Sequence, residues 1–137
     1  LLSHLESFMS EELQPSGAEL KLKVSPEDLE LMADEKLIEQ TLINLVKNSI
    51  YALEGVKKPV IHCRALKTGS HITIEVSDNG RGVPGEILDT IFTPFFTTRK
   101  GGSGIGLSLA RQVMQMHNGT INVTSPEGKN TTFTLNF

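Results

Sequence analysis

Two asparagines one helical turn apart, Asn44 and Asn48, stand with Lys47 and Tyr51 in the run Asn44-Leu-Val-Lys-Asn-Ser-Ile-Tyr51. At roughly 100° per residue, Asn44, Asn48 and Tyr51 share one face of a helix, with Lys47 beside them. Amide oxygens there can meet a hydrated cation, amide protons can meet phosphate, and Lys47 adds a point charge. The alternative is an ordinary solvated helix surface. Against it, Glu, Lys and Ala favour a helix more than Asn does.

A second group is Asp78-Asn79-Gly80-Arg81-Gly82. Asp78 can accept a hydrogen bond from an exocyclic amine, while Gly80 and Gly82 allow a flat ring to lie against the backbone. The same pentapeptide can also be a simple turn. In a third, Gly102-Ser103-Gly104-Ile105-Gly106-Leu107 runs directly into a helical pattern. Free backbone N–H groups and the positive end of a helix dipole would face an anion placed there. A flexible hinge is the plain alternative. The segment lacks the preceding strand and spacing of a dinucleotide fingerprint, and no Gly-x-x-x-x-Gly-Lys-Ser/Thr is present. Just upstream, Arg99 and Lys100 could reach a terminal phosphate or remain solvated charges.

The elements that must hold these groups follow from periodicity. Leu2, Leu5, Met9 and Leu13 predict an amphipathic helix over residues 1 to about 13, closed by Gln14-Pro15-Ser16-Gly17. Leu20, Leu22 and Val24 alternate as in a strand. Asp34 is placed to cap a long helix whose apolar face is Leu37, Ile38, Leu42, Leu45, Val46, Ile50 and Leu53. Strands near 59–66 and 71–77 flank a turn at Lys67 to Ser70, and a short helix starts at Pro84. Residues 93–104 show neither period and read as a mobile loop. Ile105, Leu109, Val113 and Met116 mark a helix stopped by Asn118-Gly119, and strands near 120–125 and 131–137 end the chain. Helices on one face of a mixed sheet satisfy this order.

Composition bounds the function. The 137 residues suffice for one core, and 38% hydrophobic with 21% charged residues is a globular balance. A net charge of -3 gives no basic footprint for nucleic acid. No run is long and apolar enough to span a bilayer, so this segment is expected to make no membrane contact. One cysteine, Cys63, cannot form an internal disulfide and reads as a small buried hydrophobe. The start at Leu1 suggests a domain excised from a longer protein.

In order, the Asn44 to Asn48 helix, the Asp78 to Gly82 turn, Phe92-Thr93-Pro94-Phe95-Phe96-Thr97-Thr98 and the Gly102 to Leu107 loop resemble the N, G1, F and G2 boxes of the sensor histidine kinase catalytic domain. The likeness covers roughly residues 18–137, leaving 1–17 as a leading helix and linker from an upstream dimerisation and phosphoacceptor domain. That family belongs to the GHKL ATPases. The resemblance implies their α+β fold, a two-layer α/β sandwich of the Bergerat type, with a mixed, mostly antiparallel sheet and helices on one face. It implies ATP and Mg2+ as ligands. Asn48 would coordinate magnesium and phosphates, with Asn44 and Lys47 assisting as catalytic residues, and Tyr51 would border the ribose or base. Asp78 would select adenine in a pocket shaped by Gly80, Gly82, Val83 and Ile91. Gly102, Ser103, Gly104, Ile105, Gly106 and Leu107 would wrap the phosphates. Phe92, with Phe95 and Phe96, would seat a lid whose Thr97, Thr98, Arg99 and Lys100 reach the nucleotide. Gly128 and Thr132 resemble the last box, with Thr132 near the base, although Asn130 stands where that pattern commonly has glycine.

Hydrolysing members of the superfamily place a glutamate where this chain has Asn44, and an amide cannot take a proton from water. The resemblance therefore implies transfer of the γ-phosphate to a histidine on a separate domain, positioning doing most of the work. His4-Leu5-Glu6 does not match the acceptor pattern. The implied partners are the phosphoacceptor domain of the same protein and a response regulator receiver domain. The isolated domain is expected to be monomeric and cytoplasmic, whether or not its parent is anchored in the inner membrane. Two other readings stay open, a GHKL-type serine kinase and a nucleotide-gated binding module without chemistry.

Overall fold

The computed structural model describes residues 1–97, 104–126 and 129–137. Five strands form one sheet in the order β1-β2-β3-β5-β4. They are β1 (Glu19–Ser25), β2 (Val60–Thr68), β3 (His71–Asp78), β4 (Thr120–Thr124) and β5 (Thr131–Asn136). Only the β1–β2 pair is parallel; the other three pairs are antiparallel. Antiparallel strands can leave one face to water, and here the residues alternate accordingly. Ile61, Cys63, Ala65, Ile74, Val76, Phe133 and Leu135 are buried. Between them, His62 and Arg64 on β2 and Thr120, Asn122 and Thr124 on β4 are exposed.

The helices cover the apolar face. They are α1 (Leu2–Phe8), α2 (Ser10–Ser16), α3 (Glu35–Ala52) and α4 (Gly106–Met116). The Asp34 side chain accepts from the Leu37 N–H at 3.0 Å, satisfying one of the free donors at the start of α3. From there Ile38, Leu42, Leu45 and Val46 fall on one stripe, each 0–1% exposed. The Asp34 N–H donates to His117 Nε2 at 3.0 Å, and His117 Nδ1 lies 2.7 Å from the Val113 carbonyl. The first turn of α3 is thereby tied to the end of α4.

Several expectations are corrected. The leading helix is two helices, because the chain breaks at Met9, where φ is -98° and ψ is 2°. Pro15 lies inside α2, which ends at Gly17 in the left-handed region with φ +69°. Leu2, Leu5, Met9 and Leu13 pack in the same core cluster as α3 and the sheet. The helix expected at Pro84 is one 3-10 turn, Gly85–Ile87. Helix α4 forms where its period predicts, but Ile105, Leu109 and Met116 are 37%, 45% and 69% exposed. Its buried face is built from two small residues, Ser108 and Ala110, and one large one, Met114.

Candidate functional site

A cavity of about 590 Å³ opens between α3, the segment after β3, and the start of α4. Asn44, Lys47, Asn48 and Tyr51 line it, so the polar stripe of α3 is a half-buried wall. Lys47 Nζ also lies 3.8 Å from Glu12 Oε1 on α2. At the other end of the wall, β3 delivers Asp78, which lines the cavity at 6% exposure. The Gly80 N–H donates to Asp78 Oδ1 at 2.9 Å.

Burial pushes the Asp78 carboxyl above its ordinary range; the Gly80 N–H, and then the neighbouring Ser49 hydroxyl, pull it back down. The Ser49 hydroxyl is buried close enough to Asp78 to lower its proton affinity, but makes no well-aligned hydrogen bond among the described residues. A buried acceptor carboxylate in the lining of a cleft suits a ligand that brings its own donor, such as an exocyclic amine.

The two glycine segments serve different ends. A Cβ on Gly80 would stand 2.6 Å from the Ala52 carbonyl oxygen and 2.8 Å from Asp78 Oδ1, so this residue must be side-chain-free to seat the turn against the end of α3. Gly80 itself does not line the cavity, whereas Gly82 and Val83 do. Gly104 holds φ +73°, and a Cβ there would come within 2.7 Å of Phe95 Cα. Its carbonyl accepts the Phe95 N–H at 2.8 Å, which pins the described end of the glycine loop to the phenylalanine segment. Gly106 and Leu107 open α4 at the cavity wall, and a Cβ on Gly106 would be 3.8 Å from the Asn44 Cγ. The positive end of α4 thus faces the Asn44 amide.

Of the remaining expected residues, Ile91 and Thr97 line the cavity. Phe92 instead packs behind the wall, edge to face with Phe133 at 6.3 Å between centroids. Ile105 precedes α4 and does not line the cavity. Thr132 lies on the open face of the sheet, in register with Ser77 and Thr124; its neighbour Thr131 is the residue that lines the cavity. Strand parity could have given this, since Thr131 shares a face with Phe133 and Leu135. Thr98, Arg99, Lys100, Gly102, Ser103 and Gly128 lie outside the described residues. Residues not expected at the wall are Ala52, Arg81, Pro84, Ile87, Phe96, Thr131 and Phe133. Arg81 belongs to the pentapeptide already singled out; the others are apolar or small and carry no signal before the fold is known.

Residues 33–137 match the family described as histidine kinase-, DNA gyrase B-, and HSP90-like ATPases. This chain belongs to that family. Over 135 residues the ATPase domain is 36% identical to the sensor histidine kinase ZraS of Escherichia coli K12, covering 98% of this chain and 29% of ZraS. It therefore spans less than a third of the length of that relative. Its fold is similar to the catalytic domain of the histidine kinase ThkA, with a TM-score of 0.85 and 28% identity over 98% of this chain and 89% of the other. It is also similar to ThkA in a structure with the response regulator TrrA, with a TM-score of 0.81 and 26% identity over 99% of this chain and 38% of that one. Among the described residues no helix is long and apolar enough to cross a membrane, and no group of three His, Cys, Asp or Glu side chains could hold a metal ion.

Proposed function

We propose that the domain binds Mg-ATP in this cavity and presents the γ-phosphate to a histidine on a separate domain of its own protein. The observation that carries the reading is the convergence on one cleft of a buried carboxylate, an amide pair and a helix N-terminus, Asp78, Asn44 with Asn48, and Gly106. Asp78 takes the adenine amine at the floor. Asn44 lies seven residues before Tyr51 on α3, about 10 Å away by helical rise, a span that fits the triphosphate. There the backbone N–H groups opening α4 and the Lys47 ammonium balance phosphate charge.

The described residues fit magnesium of the kind held by one or two protein oxygens and the substrate's phosphates, since the donors at that end are amides and not a carboxylate cage. Asn48 would hold it, with Asn44 beside it, and when bound it neutralises charge on the phosphates. Asn44 has no basic function, so this wall positions the phosphate chain without activating water. Thr97, Gly104 and Leu107 close the phosphate end. Transfer then depends on the arrival of an imidazole in line, which is nucleophilic when neutral.

A regulator receiver domain as the next acceptor, a cytoplasmic setting and a monomeric isolated domain complete the proposal. The relatives' names support the histidine kinase reading, and the ThkA structure containing TrrA supports the receiver domain as partner. Calorimetry with Mg-ATP tests the pocket: Asp78→Asn should weaken binding at least tenfold, and unchanged affinity would refute the assignment. Labelled ATP with the full-length protein tests the chemistry. Label that is lost in acid and retained in base is the expected phosphohistidine signature; an acid-stable phosphoserine would overturn the acceptor.

A further inference from the structure

Arg81 is the cation of the cavity wall that the nucleotide reading leaves without a task. Its guanidinium carbon stands 4.4 Å from the centroid of the Tyr51 ring, within cation–π range. Nη2 donates to the Tyr51 carbonyl at 3.4 Å, and the Arg81 N–H donates to the Ala52 carbonyl at 3.2 Å. Backbone and side chain are therefore both fastened to the last turn of α3. Arg81 and Tyr51 both line the cavity.

Their position selects which part of a ligand they meet. Arg81 is three residues after Asp78, and Gly80 between them is packed on Ala52, so the stacked pair borders the floor. Asn44, opposite Gly106, marks the other end, two helical turns away. A guanidinium reaching toward that end would abandon the tyrosine ring and its carbonyl. A planar, weakly hydrated cation already lying on one aromatic face is suited to stack against another.

We infer that Arg81, laid on Tyr51, is a ligand-binding residue that forms the outer wall of the base end and binds the purine and not the phosphates. This deepens the reading of the cavity as an adenine-nucleotide site and rests on it. Purine rings offer the cation a π face whatever phosphates they carry, so the contribution should be the same for every adenine ligand.

Calorimetry with adenosine, AMP, ADP and Mg-ATP tests this on the wild-type domain, Arg81→Ala and Arg81→Lys. Arg81→Ala should weaken all four by a common factor of about five, little changed by added salt. Arg81→Lys should recover only a small part, because an ammonium has no plane to stack. Tyr51 is the single tyrosine and the chain has no tryptophan, so its emission reports the stack directly. Adenosine should change that emission in the wild type and much less in Arg81→Ala. A loss that grows with phosphate number and fades with salt would make Arg81 a phosphate ligand and overturn the inference, as would four unchanged affinities. A wild-type domain that binds none of the four would instead refute the nucleotide reading beneath it.

Discussion

At the scale of single residues, Asp78 shows a cost accepted for recognition. Its carboxyl is buried beside one N–H donor, and its proton affinity is raised accordingly. A carboxyl whose folded pKa lies above its unfolded value stabilises the fold below the unfolded pKa and loses that contribution as pH rises through the folded one. At pH 8 the ligand-free domain therefore carries an unfavourable buried charge. Asp78→Asn should melt at the same or a higher temperature than the wild type at pH 8, with the difference shrinking as pH falls toward 4. Thermal melts across that range check it, and a variant much less stable at pH 8 would show that the carboxylate is structural. Cys63 makes the opposite case: fully buried, with its thiol pushed up to about 12, it has no partner chemistry to perform. Thiol labelling without denaturant should follow global unfolding, and rapid labelling of the native domain would contradict that.

At the scale of elements, the site is made by junctions. The end of α3 and the end of β3 meet only because Gly80 has no side chain, since a methyl there would strike the Ala52 carbonyl and the Asp78 carboxylate. Gly80→Ala should destabilise the domain by about 1–3 kcal/mol and displace Asp78, so chemical denaturation and nucleotide titration should both register it. A substitution silent in both would mean that the junction adjusts freely. These junctions were only partly legible in the sequence. Helix α3 could be read because its period, its Asp34 cap and its polar stripe agree over eighteen residues. Thr132 was misplaced by one position, and in a strand one position is the whole difference between cavity and open face. Helix α4 was legible from its period, but the face it buries was not. Large side chains dominate a periodicity count, while the buried face here includes the small Ser108 and Ala110.

At the scale of the whole molecule, a single core runs from the leading helices to the last strand. Leu5, on α1, is 1% exposed and belongs to the same cluster as Leu42 and Leu135. Leu5→Ala should cost about 2–5 kcal/mol, as for other buried leucines. Equilibrium denaturation checks this, and a loss below about 1 kcal/mol would mark α1 as a detachable linker. The sequence suggested such a linker because a short amphipathic helix before a Pro-Ser-Gly stretch has the same pattern whether it docks on its own domain or on another. What it buries is decided in three dimensions, by the groove that α3 and β1 leave for it.

The bond between Asp34 and His117 joins the first turn of α3 to the last of α4 at the far side from the cleft. The two rods are fastened like the arms of tweezers, with Asn44 on one arm and Gly106 at the tip of the other. Over the roughly 16 Å length of α4, a swing of about 5° at the fastened end would part the tips by about 1.4 Å. Most of a hydrogen bond is gained or lost in that distance, so a contact at the far end of α4 sets the spacing between Asn44 and Gly106 where phosphate is proposed to sit.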